Sequence, residues 1–245
     1  MIKAQNKKLN IFLRKSISLS GILVGGYLVF LFLANKITFY IHPNYIFFAL
    51  LMGIILIGVN IYGLFFYNVS SVKTAIRILF PTLIICVLGF LLTPTPLTSN
   101  TALRRGLETN SLGITNSGDT INLFSAFGQD TRNFDIATWL KTFSVNPEPS
   151  EYVGKKLSVT GFYHIDPNTP SGYFIVGRYL ITCCSIDARP IGINVVIDGN
   201  IKFSEGDWIK VDGEFGVKKI DGKDTIVILP SEVKSEVKPS NPYLY

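Results

Sequence analysis

Residues 173–190 read YFIVGRYLITCCSIDARP, a stretch that begins as an unbroken apolar run, reaches two adjacent cysteines and then breaks into Asp187, Ala188, Arg189 and Pro190. We read residues 173–184 as a strand because the chain around it has period two from residue 151 onward. Residues 155–163 alternate, with Leu157, Val159 and Gly161 opposed to Ser158, Thr160 and Phe162. Residues 191–197, 208–215 and 225–229 supply three further strands. Turn signals separate them: DPNTPSG at 166–172, DGN at 198–200 and DGK at 221–223. Five short strands in roughly ninety residues predict a small barrel, of which the OB-fold is the commonest five-stranded form. Just upstream, residues 135–143 (DIATWLKTF) have helical spacing, with Asp135 as N-cap and Trp139, Leu140 and Phe143 on one side. Pro147 and Pro149 stop that helix.

The remainder of the chain is of another kind. Residues 1–96 hold no Asp or Glu and eight Lys and Arg, whereas all 17 acidic residues lie from Glu108 onward. The basic excess therefore belongs to an apolar N-terminal part, as expected of a membrane anchor with basic flanks. A nucleic-acid protein would instead gather positive charge on its folded surface. Three runs are apolar enough to cross a ~30 Å hydrocarbon core as helices: residues 17–34, 45–66 and 76–92. Pro81 should kink the third near its start, and Thr93-Pro94-Thr95-Pro96 ends it. Five Lys and Arg precede the first run, Lys73 and Arg77 follow the second, and only Lys36 lies between the first two. That asymmetry puts the N-terminus in the cytoplasm and, after three crossings, the C-terminal part outside the cell membrane. Arg104 and Arg105 weigh the other way without reversing it.

The architecture expected is thus an α+β membrane protein. Residues 1–96 form a three-helix membrane region in the lipid bilayer, 97–133 a polar linker, and 134–245 an extracytoplasmic OB-like β domain with a short leading helix. Within the first span, Gly21 and Gly25 have a small-xxx-small spacing that permits close helix approach. Asn60 in the second reads as helix-to-helix glue. His42, in the Tyr40-Ile41-His42-Pro43 connection, reads either as a ligand at the membrane edge or as an interfacial residue beside Tyr40 and Tyr45. No acidic or basic residue lies mid-span, which argues against an ion-conducting path through this chain alone and for a subunit.

Cys183 and Cys184 admit three readings. Their Cα atoms are about 3.8 Å apart, below the 4.4–6.8 Å of ordinary disulfides, so a bond between them would be strained and easily reduced. A metal ion could take both thiolates only where the strand breaks, since neighbours on a regular strand face opposite ways. Residues 185–190 supply that break, with Asp187 as an oxygen ligand and His164, from a neighbouring strand, as a nitrogen one. Zinc accepts that mix, although its usual signatures space cysteines two to four residues apart. The third reading is that both thiols pack as small hydrophobes. With only His42 and His164 in the chain, and no Gly-x-Ser-x-Gly, zinc-protease helix or phosphate loop, the polar machinery of an enzyme is not evident. Tyr163, Tyr173 and Tyr179 could serve as a stacking platform for single strands, but the domain is slightly acidic, so no nucleic-acid partner is expected.

Several motifs together resemble a known family. They are Tyr40-Ile41-His42-Pro43, Pro94-x-Pro96-Leu97, Arg105-Gly106, Trp139-Leu140, Tyr152-x-Gly154-Lys155, Val159-Thr160-Gly161-Phe162, Asp166-Pro167, and the terminal Pro242-Tyr-Leu-Tyr245. The most specific is Arg178-Tyr-Leu-Ile-Thr-Cys-Cys-Ser-Ile-Asp-Ala-Arg-Pro190. Over nearly its whole length the chain resembles the YcgQ-like bacterial membrane proteins, described as subunits of a two-component membrane permease complex. The resemblance implies a larger multi-span permease of the YcgR/YraQ kind as partner, with this chain as the accessory subunit. The cysteine stretch adds the expectation of a non-enzymatic role that presents a metal ion or thiol-reactive solute, with a thiol-redox protein and a purely structural assembly subunit as the alternatives. It names no solute. Many relatives carry histidine- and acid-rich stretches ahead of the barrel, whereas residues 97–134 here contain no histidine.

Overall fold

The structure, a computed structural model, describes residues 2–66, 72–92, 95–98, 101, 106–109, 131–165, 169–199, 202–220 and 222–245. Arg104, Arg105, most of the linker, and the turn residues Asp166, Pro167, Asn168, Asn200 and Asp221 lie outside the described residues. The chain divides into two units, Met1–Thr95 with Cys183–Ser185, and Pro96–Thr182 with Ile186–Tyr245.

Three helices build the first unit: α1 (Ile2–Leu33), α2 (Ile46–Phe66) and α3 (Val72–Leu91). Two stretches, Leu9–Leu33 and Pro43–Phe66, are long and apolar enough to cross a membrane. The apolar part of α3, Ala75–Gly89, is shorter than a crossing ordinarily needs. Pro81 lies inside α3, and the helix continues past it. The small-xxx-small spacing of α1 is used within this chain. A Cβ on Gly25 would lie 2.8 Å from the Gly53 carbonyl oxygen of α2, and one on Gly21 would collide with the Asn60 side chain. Asn60 itself donates to the Leu56 carbonyl of its own helix at 2.8 Å, so its amide is satisfied while it fills the space over Gly21.

The second unit is built on a closed barrel of β2 (Lys156–His164), β3 (Tyr173–Leu180), β4 (Arg189–Val196), β5 (Trp208–Ile220) and β6 (Lys223–Ser235). Around the ring the order is β2-β3-β4-β6-β5 and back to β2. Every contact is antiparallel except β4–β6, which meet in parallel at Val195 and Ile228. Two short strands that the sequence did not signal complete the exposed edges. β1 (Glu108–Thr109) runs parallel beside β4 at Ile191 and Gly192, and β7 (Tyr243–Leu244) runs parallel beside β3 at Tyr179 and Leu180. Strand crowding is relieved by glycine: a Cβ on Gly161 would collide with the carbonyl oxygen of Gly177 on β3.

The barrel's interior is filled by its inward apolar side chains and by α4 (Ile136–Val145), whose Trp139, Leu140 and Phe143 are buried as the spacing predicts. The Trp139 ring stands edge-on to Phe215 of β5 at 4.6 Å, and Phe143 edge-on to Tyr152 at 4.7 Å, the arrangement aromatic quadrupoles favour. Asp135 caps α4, accepting the Thr138 N–H at 2.7 Å. At the other end the Tyr152 hydroxyl reaches the Thr142 carbonyl, which also accepts the Asn146 N–H, and the Asn146 carbonyl just past the helix.

Candidate metal centre in the cysteine loop

The strand expected over 173–184 ends at Leu180. Its last partner on β4 is Arg189, and the eight residues between the strands, 181–188, form a loop. The physical reason lies in Asp187, whose carboxylate accepts the Thr182 N–H at 3.3 Å and so takes that donor out of the strand ladder. Ala188 is buried, which pins the far side of the loop where β4 begins. Leaving the ladder also frees consecutive side chains from pointing to opposite faces.

Both cysteines exploit that freedom. The Cys183 thiol donates to Cys184 Sγ at 3.6 Å, and these two sulfurs and an Asp187 carboxylate oxygen all lie within 4.8 Å of one another. A disulfide would need about 2.05 Å, so the sulfurs are not bonded to each other. Two thiolates bound at ~2.3 Å to a tetrahedral zinc ion stand about 3.8 Å apart, close to the spacing observed. Cys183 is exposed and Cys184 half-buried, so neither thiol is a core hydrophobe. The packing reading is the one these positions least support.

Residues 183–185 group with the first unit, and there they meet a second stretch singled out in the sequence. The His42 N–H donates to the Cys183 carbonyl at 2.9 Å, the Ser185 N–H donates to the Tyr40 carbonyl at 2.8 Å, and Ile41 and Cys184 form an isolated antiparallel bridge. The His42 ring has its own local task. Its Nδ1 accepts the Asn44 N–H at 3.1 Å, capping the short 3-10 helix Pro43–Tyr45, and it stands edge-on to Tyr45.

His164 is not part of the Cys183–Cys184–Asp187 donor group. It is fully buried at the end of β2, with Nδ1 2.5 Å from Glu205 Oε1, while Glu205 Oε2 accepts the Ile165 N–H. Nε2 of His164 is buried with no hydrogen-bond partner among the described residues. Glu205 escaped the sequence reading because it lies 41 residues away in a polar turn with no spacing relation to His164. Tyr163 and Tyr179 are buried in the barrel wall, which removes them as a stacking platform. Cys86 stays among the helices, its thiol 3.7 Å from the Ser20 carbonyl.

Arg178 also gave no functional signal in the sequence beyond the motif it opens. Its guanidinium is largely enclosed and lies 5.2 Å over the Trp208 ring. Burial pulls its pKa down, against the opposing pull of Asp135 and of Tyr245.

Residues 130–245 match the family model of the DUF1980 C-terminal domain. The match begins just ahead of the short helix at Thr131–Asn133 and takes in α4, the whole barrel and the cysteine loop. No curated protein and no solved structure matches the chain.

Proposed function

We propose that this chain is a membrane-anchored, non-enzymatic subunit of a two-component transport complex, and that its β domain offers a soft metal site at Cys183, Cys184 and Asp187. The observation that carries the site is the convergence of two sulfurs and one carboxylate oxygen within 4.8 Å on the loop 181–188, with Cys183 exposed. Sulfur at this spacing suits zinc, with the fourth position left to water or to a donor from the partner. Two apolar helices support the anchor, with α3 as a third crossing that puts the β domain outside. The ring order, with one parallel contact between the third and fifth barrel strands, supports an OB-like assignment. The YcgQ-like resemblance supplies the partner: a multi-span permease of the YcgR/YraQ kind, to which the β domain presents the ion. The DUF1980 C-terminal match covers the part of the chain that holds the site.

The test is elemental analysis of the full chain, purified in detergent under reducing, anaerobic conditions, beside a Cys183→Ser, Cys184→Ser double variant. Near-stoichiometric zinc in the parent and none in the folded variant is expected. Equal metal in both would remove the site. A second reading, a membrane-anchored thiol-redox protein, rests on the same 3.6 Å separation, which a closure of about 1.5 Å would turn into a disulfide. It predicts fast alkylation, and a reversible loss of both thiols on oxidation without any metal.

A further inference from the structure

We infer that residues 241–245 and Arg178 form a strap that sets the geometry of the cysteine loop, making Arg178 a positioning residue for the site; this rests on the metal-site reading above. β3 would otherwise end with an open edge, because its pairing with β2 stops at Gly177. The strap fills that edge. β7 pairs Tyr243 with Tyr179 and Leu244 with Leu180, and the Leu244 carbonyl accepts the Ile181 N–H at 3.0 Å. That bond is the last main-chain tie on the strand side of the loop, two residues before Cys183. One residue further on, the Thr182 N–H is held by Asp187, the third donor of the site. A shift of the strap is therefore transmitted through Ile181 and Thr182 to both Cys183 and Asp187.

Arg178 fixes the strap to the barrel. Its Nε donates to the Pro242 carbonyl at 2.9 Å, and its Nη2 to the Asn241 and Tyr243 carbonyls at 3.4 and 3.3 Å. Nη1 donates to the Thr160 carbonyl of β2 at 3.3 Å. One planar guanidinium thus joins β2, β3 and the strap, which a lysine, with a single nitrogen, cannot do. Further bonds stiffen the strap. The Tyr243 hydroxyl accepts the Leu97 N–H at 2.8 Å, Asn241 Nδ2 donates to the Tyr245 hydroxyl at 2.9 Å, and the Tyr243 and Leu244 side chains are buried. Groups that orient metal ligands without touching the metal typically change affinity 10- to 100-fold when removed.

The test uses the full chain in detergent with Arg178→Lys, Arg178→Gln and a deletion of residues 241–245. Two probes are applied to each: Co(II), whose thiolate charge-transfer and d–d bands report tetrahedral coordination, and phenylarsine oxide, which closes onto two thiols only when they can sit side by side. The inference predicts that Arg178→Gln and the deletion weaken Co(II) binding about tenfold or more and alter its d–d bands. Capture of phenylarsine oxide should slow in both, with the far-ultraviolet spectrum of the barrel retained. A synthetic peptide of residues 238–245 should restore the deletion variant. Parent-like Co(II) spectra and arsenical capture in folded Arg178→Gln would overturn the inference and leave the metal site standing. If the deletion unfolds the barrel, Arg178→Lys and Arg178→Gln decide alone. A parent that binds no Co(II) would sink the metal reading, and the arsenical rates would then decide the strap by themselves.

Discussion

Tyr152 illustrates how one side chain couples sequence to stability. It is fully buried, donates to the end of α4, and stands against Phe143. Tyr152→Phe should keep the ring packing and remove the hydroxyl's single donor from the helix end, where the Asn146 carbonyl is its shorter partner, lowering stability by about 1 kcal/mol in a denaturant titration. Burial, with Glu151 adding to it, pushes the hydroxyl up to about 12. Its folded pKa lies above the unfolded value near 10, so its contribution is whole below pH 10 and is lost as pH rises toward 12, by about 2 kcal/mol at that end. A pH–stability profile that falls less steeply in this window for Tyr152→Phe than for the parent is the expected result, since burial also raises the Tyr163 and Tyr245 hydroxyls. At the loop, Asp187→Asn should weaken metal binding while keeping an acceptor for the Thr182 N–H. At this scale the sequence was legible where a residue acts on near neighbours, as Asp135 does in capping α4. It was not legible where the partner is remote. His164, expected as a nitrogen ligand from a neighbouring strand, instead meets Glu205, which lies 41 residues away in sequence.

At the scale of elements, local pattern located every barrel strand but misplaced their ends. β5 and β6 run to 13 residues each, well past 208–215 and 225–229. β5 extends into a solvated hairpin carrying Lys218 and Lys219, and β6 extends mainly at its far end through the polar Ser231, Glu232, Lys234 and Ser235, neither of which alternates apolar residues. β3 was read too long for the opposite reason. Its apolar character continues through Ile181 after the hydrogen-bond ladder has stopped, and only Asp187 reveals the change. β1 and β7 have two residues each, and no periodicity can register in two residues. The glycine at position 161 gives a sharp element-scale test. Gly161→Ala places a methyl against the Gly177 carbonyl, a backbone atom that can move only with β3, so the variant should lose several kcal/mol or fail to fold. Ala at the solvent-facing Gly199 turn is strained by its φ of 79° but meets no neighbour, and should be milder.

On the scale of the whole molecule, charge segregates into an acid-free apolar part and a slightly acidic β part, while the two compact units are Met1–Thr95 with Cys183–Ser185 and the remainder of the chain. The number of crossings was less legible, because Lys73 and Arg77 occupy the first turns of α3 and shorten its apolar run relative to those of α1 and α2. The proposed three crossings put the exposed Cys183 outside, whereas two would return it to the side of the N-terminus. In intact cells treated with a chelator, a membrane-impermeant maleimide should label Cys183 in a Cys86→Ser, Cys184→Ser background. Labelling only after permeabilisation would mean an even number of crossings.

The most direct measurement of the central claim is X-ray absorption at the zinc edge on the zinc-loaded full chain. The account predicts two sulfur scatterers near 2.3 Å with oxygen or nitrogen near 2.0 Å completing the shell, and loss of the sulfur shell in the Cys183→Ser, Cys184→Ser variant. A shell of oxygen and nitrogen alone, or one unchanged by the double substitution, would contradict it.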